Sequence, residues 1–339
     1  MSIDGAAKFP NPSHIIELAS AFYGSSTLFT ASDLGVFAKL EELGSADTAT
    51  LAQALEANIR GTELLLNACV AIGLLRKDGV SFRNTPETSA FLVPGKPGDL
   101  SKAIRYNRDV YSAWGRLATL VKSGEPVEKP EIHLGTDPER TRTFVLSMYG
   151  RAMGIGRSVV PQLNLKGRRK LLDIGGGPAA YSTLIAQTNP EITCTVLDLP
   201  AVAAVAAELV RQAGMSERVK ILPGDYHITS FPAGNDAVII FGVLHQESPE
   251  SIQDIFRRAF EALTPGGVIY VLDMMTDSSH TSPPFSALFG LNMALTTLNG
   301  WVFSDEELRG WMQEAGFVGF EVRPLPPPMP HWLAIASRP

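Results

Sequence analysis

Residues 171–180 combine an apolar run with a glycine-rich turn of the kind that holds a nucleotide or nucleoside. They read LLDIGGGPAA, so Gly175 and Gly177 come directly after the apolar run, and a helix is predicted to begin near Ala180. Glycine lets the backbone approach a ligand closely, and the first turn of a helix offers N–H groups that lack partners. This is the strongest chemical motif in the chain.

A carboxylate follows this turn at a spacing that suits ribose recognition. Asp198 ends the next apolar run, VLDLP, 18 residues beyond Ala180, and we assign the adjoining Leu199 to the same site. A carboxylate at the end of this strand accepts hydrogen bonds from both ribose hydroxyls of a bound nucleoside. Together, Gly175, Gly177, Ala180 and Asp198 also satisfy the dinucleotide fingerprint, so they indicate an adenosine ligand rather than one particular cofactor.

Three features favour S-adenosylmethionine over a nicotinamide dinucleotide. Asp173 precedes the first glycine by two residues, where an acid can meet the positive methionine end of a sulfonium cofactor. The motif lies in mid-chain behind a helical segment without a second dinucleotide motif, and the C-terminal pattern suits methyltransferases. No GxxxxGK followed by Ser or Thr is present, which excludes a P-loop hydrolase. The expected product is S-adenosylhomocysteine.

Two further predicted strands end in polar residues. In Gly224-Asp225-Tyr226, the carboxylate can accept a hydrogen bond from the adenine amino group and the phenol ring can stack on the base, although Asp225 could instead cap a turn. His245 follows the fourth strand, where a neutral imidazole could remove a proton from a hydroxyl that attacks a methyl group. Surface or core roles are expected for the other histidines: His14, His133, His227, His280 and His331.

These residues are positioned by an alternation of strands and helices that starts near Lys170. The predicted strands cover residues 170–174, 193–198, 219–223, 236–240 and 268–273. This rhythm is typical of an α/β fold with a doubly wound, mostly parallel Rossmann-like sheet, whose ligands lie at the carboxyl ends of the strands. Residues 319–323 and 331–336 flank a proline-rich turn and predict a closing antiparallel pair.

The N-terminal part predicts helices followed by a hairpin, the order found in winged-helix modules. Helices are expected over 14–22, 28–43 and 62–75, with another starting near residue 51, and Asp78-Gly79 predicts the hairpin turn. Residues 1–100 hold seven Lys and Arg against eleven Asp and Glu, a balance that disfavours DNA binding. Homodimerisation is therefore the expected role.

We divide the chain into a dimerisation domain at 1–97, a helical connector at 98–165 and a catalytic domain at 166–339. The connector is rich in large side chains, which could form a helix core or one wall of an acceptor pocket. The residues expected to line that pocket are Tyr106, Tyr111, Trp114, Met148, Met153, Asn292, Met293 and Trp301.

Composition narrows the class of protein further. The 339 residues carry a net charge of −6 and two cysteines without a CxxC motif, so neither a disulfide framework nor a metal site is expected. The first ten residues do not resemble a signal peptide, and the longest apolar runs are too short to span a membrane. The expected location is the cytoplasm.

The chain resembles the plant-type small-molecule O-methyltransferases and their bacterial relatives, which are class I methyltransferases. The catalytic half matches through LLDIGGGPAAYS, VLDLPAV, GDY, FGVLHQESPE, ALTPGGVIYVLDM and FSDEELRGWMQEAGF, and the N-terminal half through ASDLGVFAKL, TLAQAL and GTELLLNACVAIGLL. The resemblance implies an intertwined homodimer, a cofactor held by Gly175, Asp198, Asp225 and Tyr226, and His245 as the general base.

Two departures from the family pattern are visible. The family's typical His-Asp-Trp-Ser-Asp run reads His-Gln-Glu-Ser-Pro at residues 245–249. Of two acids that commonly flank the family's base, one is represented by Asp273 and the other is replaced by Val302. We expect Asp273 to orient or support His245.

The leading hypothesis is methyl transfer to a hydroxyl of a small, partly apolar acceptor. A thioether or nitrogen acceptor needs no proton removed before attack. The resemblance includes bacterial S-methyltransferases that act on 4-methylthio-2-hydroxybutyrate, so S-methylation of such an acid is the alternative. Four arginines could hold such an acid's carboxylate: Arg105, Arg108, Arg142 and Arg151. Two alternative hypotheses come from other functional classes of protein. They are a nicotinamide-dependent oxidoreductase and a DNA-binding regulator with an inactive cofactor fold.

Overall fold

The computed structural model describes residues 10–128 and 137–339, which leaves His133 outside the described residues. The chain divides into two compact units, Met1–Arg108 and Asp109–Pro339. The finer division at residues 97 and 165 remains a prediction. None of the helices in the described ranges combines the length and apolar character needed to cross a membrane.

The first unit is helical with a small sheet. Its elements are α1 (Ser13–Ser20), α2 (Phe22–Asp33), α3 (Val36–Leu43), β1 (Ala46–Asp47), α4 (Thr48–Ala54), α5 (Ile59–Ala71), β2 (Leu75–Asp78), β3 (Ser81–Asn84), α6 (Pro86–Phe91) and α7, which runs to the boundary between the units (Ser101–Asp109). Strands β2 and β3 form the predicted hairpin, with Gly79 at φ 60° in the turn. Phe37, Leu40, Leu66 and Phe82 are buried in its core.

The single helix predicted over residues 28–43 is wrong, because the chain breaks there into α2 and α3. Gly35 lies between them at φ 75°, a left-handed conformation that ends a helix and that glycine adopts without strain. The predicted helix over 62–75 likewise ends early, at Ala71, because Gly73 adopts φ 80° two residues later. The apolar periodicity of the sequence continues past both glycines, but the helical backbone conformation ends at them.

The second unit is built on a seven-stranded sheet. Its strands are β4 (Lys170–Ile174), β5 (Thr193–Asp198), β6 (Val219–Pro223), β7 (Asn235–Phe241), β8 (Leu263–Asp273), β9 (Val318–Pro324) and β10 (Trp332–Ser337). Their order is β6-β5-β4-β7-β8-β10-β9, with β10 antiparallel to both β8 and β9 and the other pairs parallel. The doubly wound sheet with a C-terminal antiparallel closure is confirmed.

Helices cover both faces of this sheet. Within the described ranges, the helices of this unit are α8 (Tyr111–Trp114), α9 (Leu117–Ser123), α10 (Pro138–Val159), α11 (Ala180–Thr188), α12 (Pro200–Gln212), α13 (Pro249–Ala262), α14 (Pro284–Thr296) and α15 (Asp305–Glu314). Alternate residues of the strands pack against α13 and α15 on one face, and against α11, α12 and the end of α10 on the other. The strand order reverses between β4 and β7. In doubly wound folds, ligands bind at the carboxyl ends of the strands beside such a reversal.

Candidate active site

The glycine-rich turn closes directly over the end of β4. Gly175 and Gly177 have φ of 65° and 53°, and the Gly175 N–H donates to the carbonyl of Leu197 at 2.9 Å. A Cβ atom on Gly175 would lie 2.7 Å from Cγ2 of Val243, so a side chain there would be both strained and crowded. The turn then leads into α11, which begins at Ala180, and the N–H groups of a first helical turn lack helical partners.

Asp198, at the end of β5, is bound to this turn. Its Oδ2 accepts a hydrogen bond from the Gly177 N–H and its Oδ1 accepts one from the Leu199 N–H, both at 2.7 Å. Burial raises the pKa of the Asp198 carboxyl to about 6, although both N–H donors act in the opposite direction. A carboxylate has further lone pairs on each oxygen, so Asp198 can still accept hydrogen bonds from a ligand.

Asp173, the penultimate residue of β4, is fully buried beneath the turn. Ser182 donates to its Oδ2 at 2.7 Å, whereas its Oδ1 is buried without a hydrogen-bond partner in the described structure. Burial raises the pKa of this carboxyl to about 7. A buried oxygen without a donor needs an explanation, and a bound cation or N–H donor would supply one.

Residues after β6 form a polar cluster with the segment that follows β7. Asp225 Oδ1 accepts hydrogen bonds from the backbone N–H and the Nδ1 of His227, at 2.9 and 2.7 Å. The other ring nitrogen of His227 lies 2.8 Å from Oε2 of Glu247. Tyr226 donates its hydroxyl to Oε1 of Glu247 at 2.6 Å, and its ring is buried 3.5 Å from the position of a Cβ on Gly175.

The candidate base pairs with an acid from the neighbouring strand. His245 lies in a short 3-10 turn, Leu244–Gln246, after β7, and Asp273 ends β8. Nδ1 of His245 is 2.6 Å from Oδ1 of Asp273, and the side chain of His245 is 15% exposed. Val302, where the family has its second acid, is buried. The imidazole is thus held by a carboxylate through one nitrogen.

Helix α14 and Trp301 form an aromatic wall beside His245. Phe289 of α14 packs edge-on against the imidazole with ring centroids 5.2 Å apart, and Phe285 stacks on Phe289. The Trp301 N–H donates to the His245 carbonyl at 2.9 Å, and its indole N–H donates to the Glu247 carbonyl at 2.8 Å. Of these residues, Trp301 was predicted from the sequence, and the two phenylalanines were not.

The other residues predicted for the acceptor pocket are spread over several elements. Trp114 of α8 donates its indole N–H to Oδ1 of the buried Asn292 at 2.9 Å. Of the other residues predicted for this pocket, Met293 is buried on α14, and Met148 and Met153 are half-buried on α10. Tyr111 is exposed at the start of α8, and Tyr106 lies on α7 in the first unit. Their role in acceptor binding stays a prediction.

The four arginines considered for an acidic acceptor differ in their surroundings. Arg142 makes a two-point contact with Glu208 at 2.6 and 3.0 Å, and Arg108 lies 3.2 Å from Asp33 within the first unit. Arg105 is exposed on α7. Arg151 is half-buried on α10. The pKa of the buried His331 is lowered to about 4, mainly by burial and next by the charge of Arg151.

Sequence reasoning missed Glu247 and the bridging role of His227. His227 is half-exposed, in line with the surface role expected for it, but it also joins two carboxylates. The signal that could have revealed the pair was the acid that replaces the family's tryptophan in the run at 245–249. Within residues 10–128 and 137–339, no three His, Cys, Asp or Glu side chains are grouped so that they could hold a metal ion.

Comparison with known proteins assigns the family. The O-methyltransferase domain profile matches residues 130–318, and the O-methyltransferase dimerisation domain profile matches residues 16–94. Together with the fold, these matches define a class I S-adenosylmethionine-dependent methyltransferase with an N-terminal dimerisation domain. The chain belongs to the O-methyltransferase family. The hypotheses of a nicotinamide-dependent oxidoreductase and of a DNA-binding regulator are therefore rejected.

Individual relatives differ in what they methylate. The chain is 30% identical to the 3-hydroxy-5-methyl-1-naphthoate 3-O-methyltransferase of Streptomyces sahachiroi, over 90% of this chain and 89% of that one. It is also 30% identical to the N,N-dimethyltransferase OxyT of Streptomyces rimosus, over 96% of each chain. The crystal structure of human N-acetylserotonin methyltransferase in complex with SAM superposes with a TM-score of 0.87, at 26% identity over 99% of both chains.

Proposed function

We propose that this enzyme methylates a hydroxyl group of a small, partly apolar acceptor, with His245 as the general base. The observation that carries the proposal is the 2.6 Å contact between His245 Nδ1 and the buried Asp273 carboxylate. Because a neutral imidazole donates through one nitrogen and accepts through the other, the bond to Asp273 leaves the Nε2 lone pair for an acceptor's proton.

His245 and Asp273 have different roles in the proton transfer. When bound, S-adenosylmethionine supplies an electrophilic methyl group on sulfur that can pass to the acceptor oxygen. His245 Nε2 takes the hydroxyl proton as the oxygen attacks, which turns a poor nucleophile into a good one. The carboxylate of Asp273 holds the ring in one tautomer and stabilises the imidazolium that forms. The proton leaves the site from Nε2 after the product departs.

The residues around the glycine turn fit the cofactor in charge and shape. The unpartnered Oδ1 of Asp173 suits the ammonium of the methionine end, since burying an unpaired carboxylate is otherwise costly. Asp198 and Leu199 would hold the ribose side beside Gly175 and Gly177. Asp225 and Tyr226 would form the adenine side, with the Tyr226 ring acting as a buried wall beside Gly175.

The aromatic side chains beside His245 support an acceptor with an apolar ring. Phe289, Trp301 and Met293 would contact the ring, and the Asn292 amide, oriented by Trp114, would read a polar substituent. The relative from Streptomyces sahachiroi acts on a hydroxynaphthoate, as its name states, and a phenol of that type matches these contacts. Tyr111, Met148 and Met153 would complete the enclosure within the second unit, and Tyr106 stays a prediction from the sequence.

The test separates hydroxyl from thioether acceptors by their need for a base. The His245→Ala variant and the wild type are assayed by S-adenosylhomocysteine release with hydroxynaphthoates, other phenols and 4-methylthio-2-hydroxybutyrate. Phenol methylation is expected to fall by about a hundredfold or more, whereas sulfonium formation would survive the substitution. A wild type that accepts only the thioether, or a variant that methylates phenols at the normal rate, would overturn the proposal.

The first unit would make the enzyme a homodimer, and its location is expected to be cytoplasmic. Large apolar side chains are exposed along α1 and α2, an arrangement that favours burial against a second copy. They are Ile15, Ile16, Leu18, Phe22 and Tyr23. Light scattering coupled to size exclusion should give twice the chain mass of 36.5 kDa. A monomer at micromolar concentration would contradict this part of the proposal.

A further inference from the structure

His227 and Glu247 join two edges of the proposed adenosine site. His227 follows β6 and Glu247 follows β7, and the ring of His227 spans the gap between Asp225 and Glu247 with bonds of 2.7 and 2.8 Å. Because one imidazole nitrogen faces each carboxylate, both nitrogens must donate for both bonds to form. Only the protonated ring has two donors. The cluster is therefore complete when His227 carries a positive charge.

Glu247 is the buried end of this cluster. Its side chain is 5% exposed and accepts hydrogen bonds from Tyr226, His227 and Ser251 at 2.6, 2.8 and 2.6 Å. A buried carboxylate needs such donors, since an unpaired charge away from water is costly. Loss of the His227 donor would leave Glu247 with two neutral hydroxyls and would loosen its hold on the Tyr226 ring.

Asp225 is the end of the cluster that would face the ligand. Both hydrogen bonds from His227 go to its Oδ1, while its Oδ2 makes no hydrogen bond within the described parts of the chain. His227 therefore fixes the rotation of the carboxylate and leaves one oxygen for an N–H donor of the ligand. The adenine amino group is such a donor.

We propose that His227 and Glu247 are positioning residues for the adenine end of the cofactor, and that the enzyme binds S-adenosyl ligands more tightly while His227 is protonated. The inference rests on the proposed function, because it needs Asp225 and Tyr226 in the adenosine site. Glu247 stands where the family's typical run has tryptophan.

The sign of the pH effect follows from the groups around the ring. Burial acts to lower the pKa of His227, but Glu247 and Asp225 outweigh it and raise the pKa above its ordinary value. The Tyr226 ring lies against His227 at a tilt of 37°, with centroids 4.5 Å apart. Arg258, which is paired with Asp254, donates to the backbone carbonyl of His227. The contribution of His227 to affinity is thus expected to be full below its raised pKa and to fall as pH rises through it.

The pair affects binding rather than the proton transfer. Glu247 is two residues beyond His245, but the indole of Trp301 ties the Glu247 backbone in place independently of its side chain. Substitutions that keep the backbone intact should therefore raise the KM for S-adenosylmethionine much more than they lower kcat. A purely structural role would raise KM and lower kcat by similar factors, or would lower the melting temperature alone.

The experiment measures the affinity of S-adenosylhomocysteine by calorimetry between about pH 6 and pH 9, across the range in which a histidine with a raised pKa titrates. The proteins are the wild type, His227→Gln, Glu247→Gln and the double variant, with His14→Gln as a control because His14 is exposed on α1. Affinity ratios to the wild type at each pH remove the titration of the ligand amine and of Asp173. Melting curves confirm that each variant folds. Because His227 is half-exposed, His227→Gln is expected to disturb folding less than Glu247→Gln.

Wild-type affinity is expected to fall by about tenfold toward high pH relative to His227→Gln, the scale of one charge-assisted hydrogen bond. His227→Gln should bind weakly with no such fall, and the double variant should lose no more than the worse single variant. A His227→Gln protein with the wild-type profile, or losses that multiply in the double variant, would overturn the inference. Asp198→Ala keeps the two failures apart. If that variant binds normally, the proposed site is wrong, whereas its loss of binding beside a normal His227→Gln profile rejects the inference alone.

Discussion

The Nδ1 of His245 lies 2.6 Å from Oδ1 of Asp273, although 28 residues separate them in the chain. The Asp273 carboxylate also accepts from the backbone N–H groups of Met274 at 2.8 Å and His245 at 3.3 Å, and it is 1% exposed. It therefore cannot turn away from the imidazole without losing several hydrogen bonds. One well-fixed acid can orient the ring even though the family's second acid is replaced by Val302.

Replacing Asp273 with Asn is expected to lower kcat by about a hundredfold or more, because an amide neither stabilises the imidazolium nor enforces its tautomer. The affinity for S-adenosylhomocysteine should change little, which serves as an internal control for folding. Steady-state rates with a phenolic acceptor and calorimetry on the same preparation check both halves. Equal kcat values for variant and wild type would remove Asp273 from the mechanism.

Replacing Asp198 with Ala is expected to weaken S-adenosylhomocysteine binding by about a hundredfold, the loss of two hydrogen bonds to a charged group. Asp236→Ala is the matched control, because Asp236 also accepts two backbone N–H bonds, from Arg169 and Lys170 at 2.7 and 3.1 Å, but at the start of β7. That variant should bind the ligand normally even if it melts earlier. Similar affinities for both variants would mean that Asp198 acts only on the fold.

The ionisation of Asp173 should contribute to the change of ligand affinity with pH. Its pKa of about 7 without ligand lies above the unfolded value, so the cofactor-free protein loses stability from this group as pH rises from about 4 through 7. A bound ammonium favours the ionised form, so affinity should rise as pH increases through about 7. Calorimetry of Asp173→Asn should show weaker binding without this rise. Retention of the rise in the variant would assign it to another group.

Alanine at Gly175 and at Gly177 separates backbone strain from crowding. Both residues have positive φ, but a Cβ meets Val243 at 2.7 Å only at Gly175, whereas nothing lies within 4 Å of it at Gly177. Strain costs about 1 to 2 kcal/mol at either position, and overpacking adds about 1 to 3 kcal/mol at Gly175. Denaturant unfolding without ligand should therefore rank Gly175→Ala as the less stable variant. The reverse order would show that Val243 moves aside freely.

The sequence by itself determined the local features of the catalytic unit. The alternation of apolar runs and helices predicted every strand of the seven-stranded sheet, because strand and helix periods are properties of short segments. The largest error was at β8, which begins at Leu263, five residues before its predicted start. The glycine turn and Asp198 were predicted together for a similar reason, since adjacent parallel strands bring their carboxyl ends to one edge. Asp173 was also expected there, but not as a buried carboxylate with an unpartnered oxygen.

Only the tertiary structure decided which side chains meet across elements. His227 and Glu247 follow different strands and are 20 residues apart, and Phe289 reaches His245 from a helix that begins 39 residues later. The break at Gly35 was equally hidden, because the apolar pattern runs on through it. Such contacts depend on how elements pack and on single backbone conformations, whereas periodicity records only which face of each element is buried.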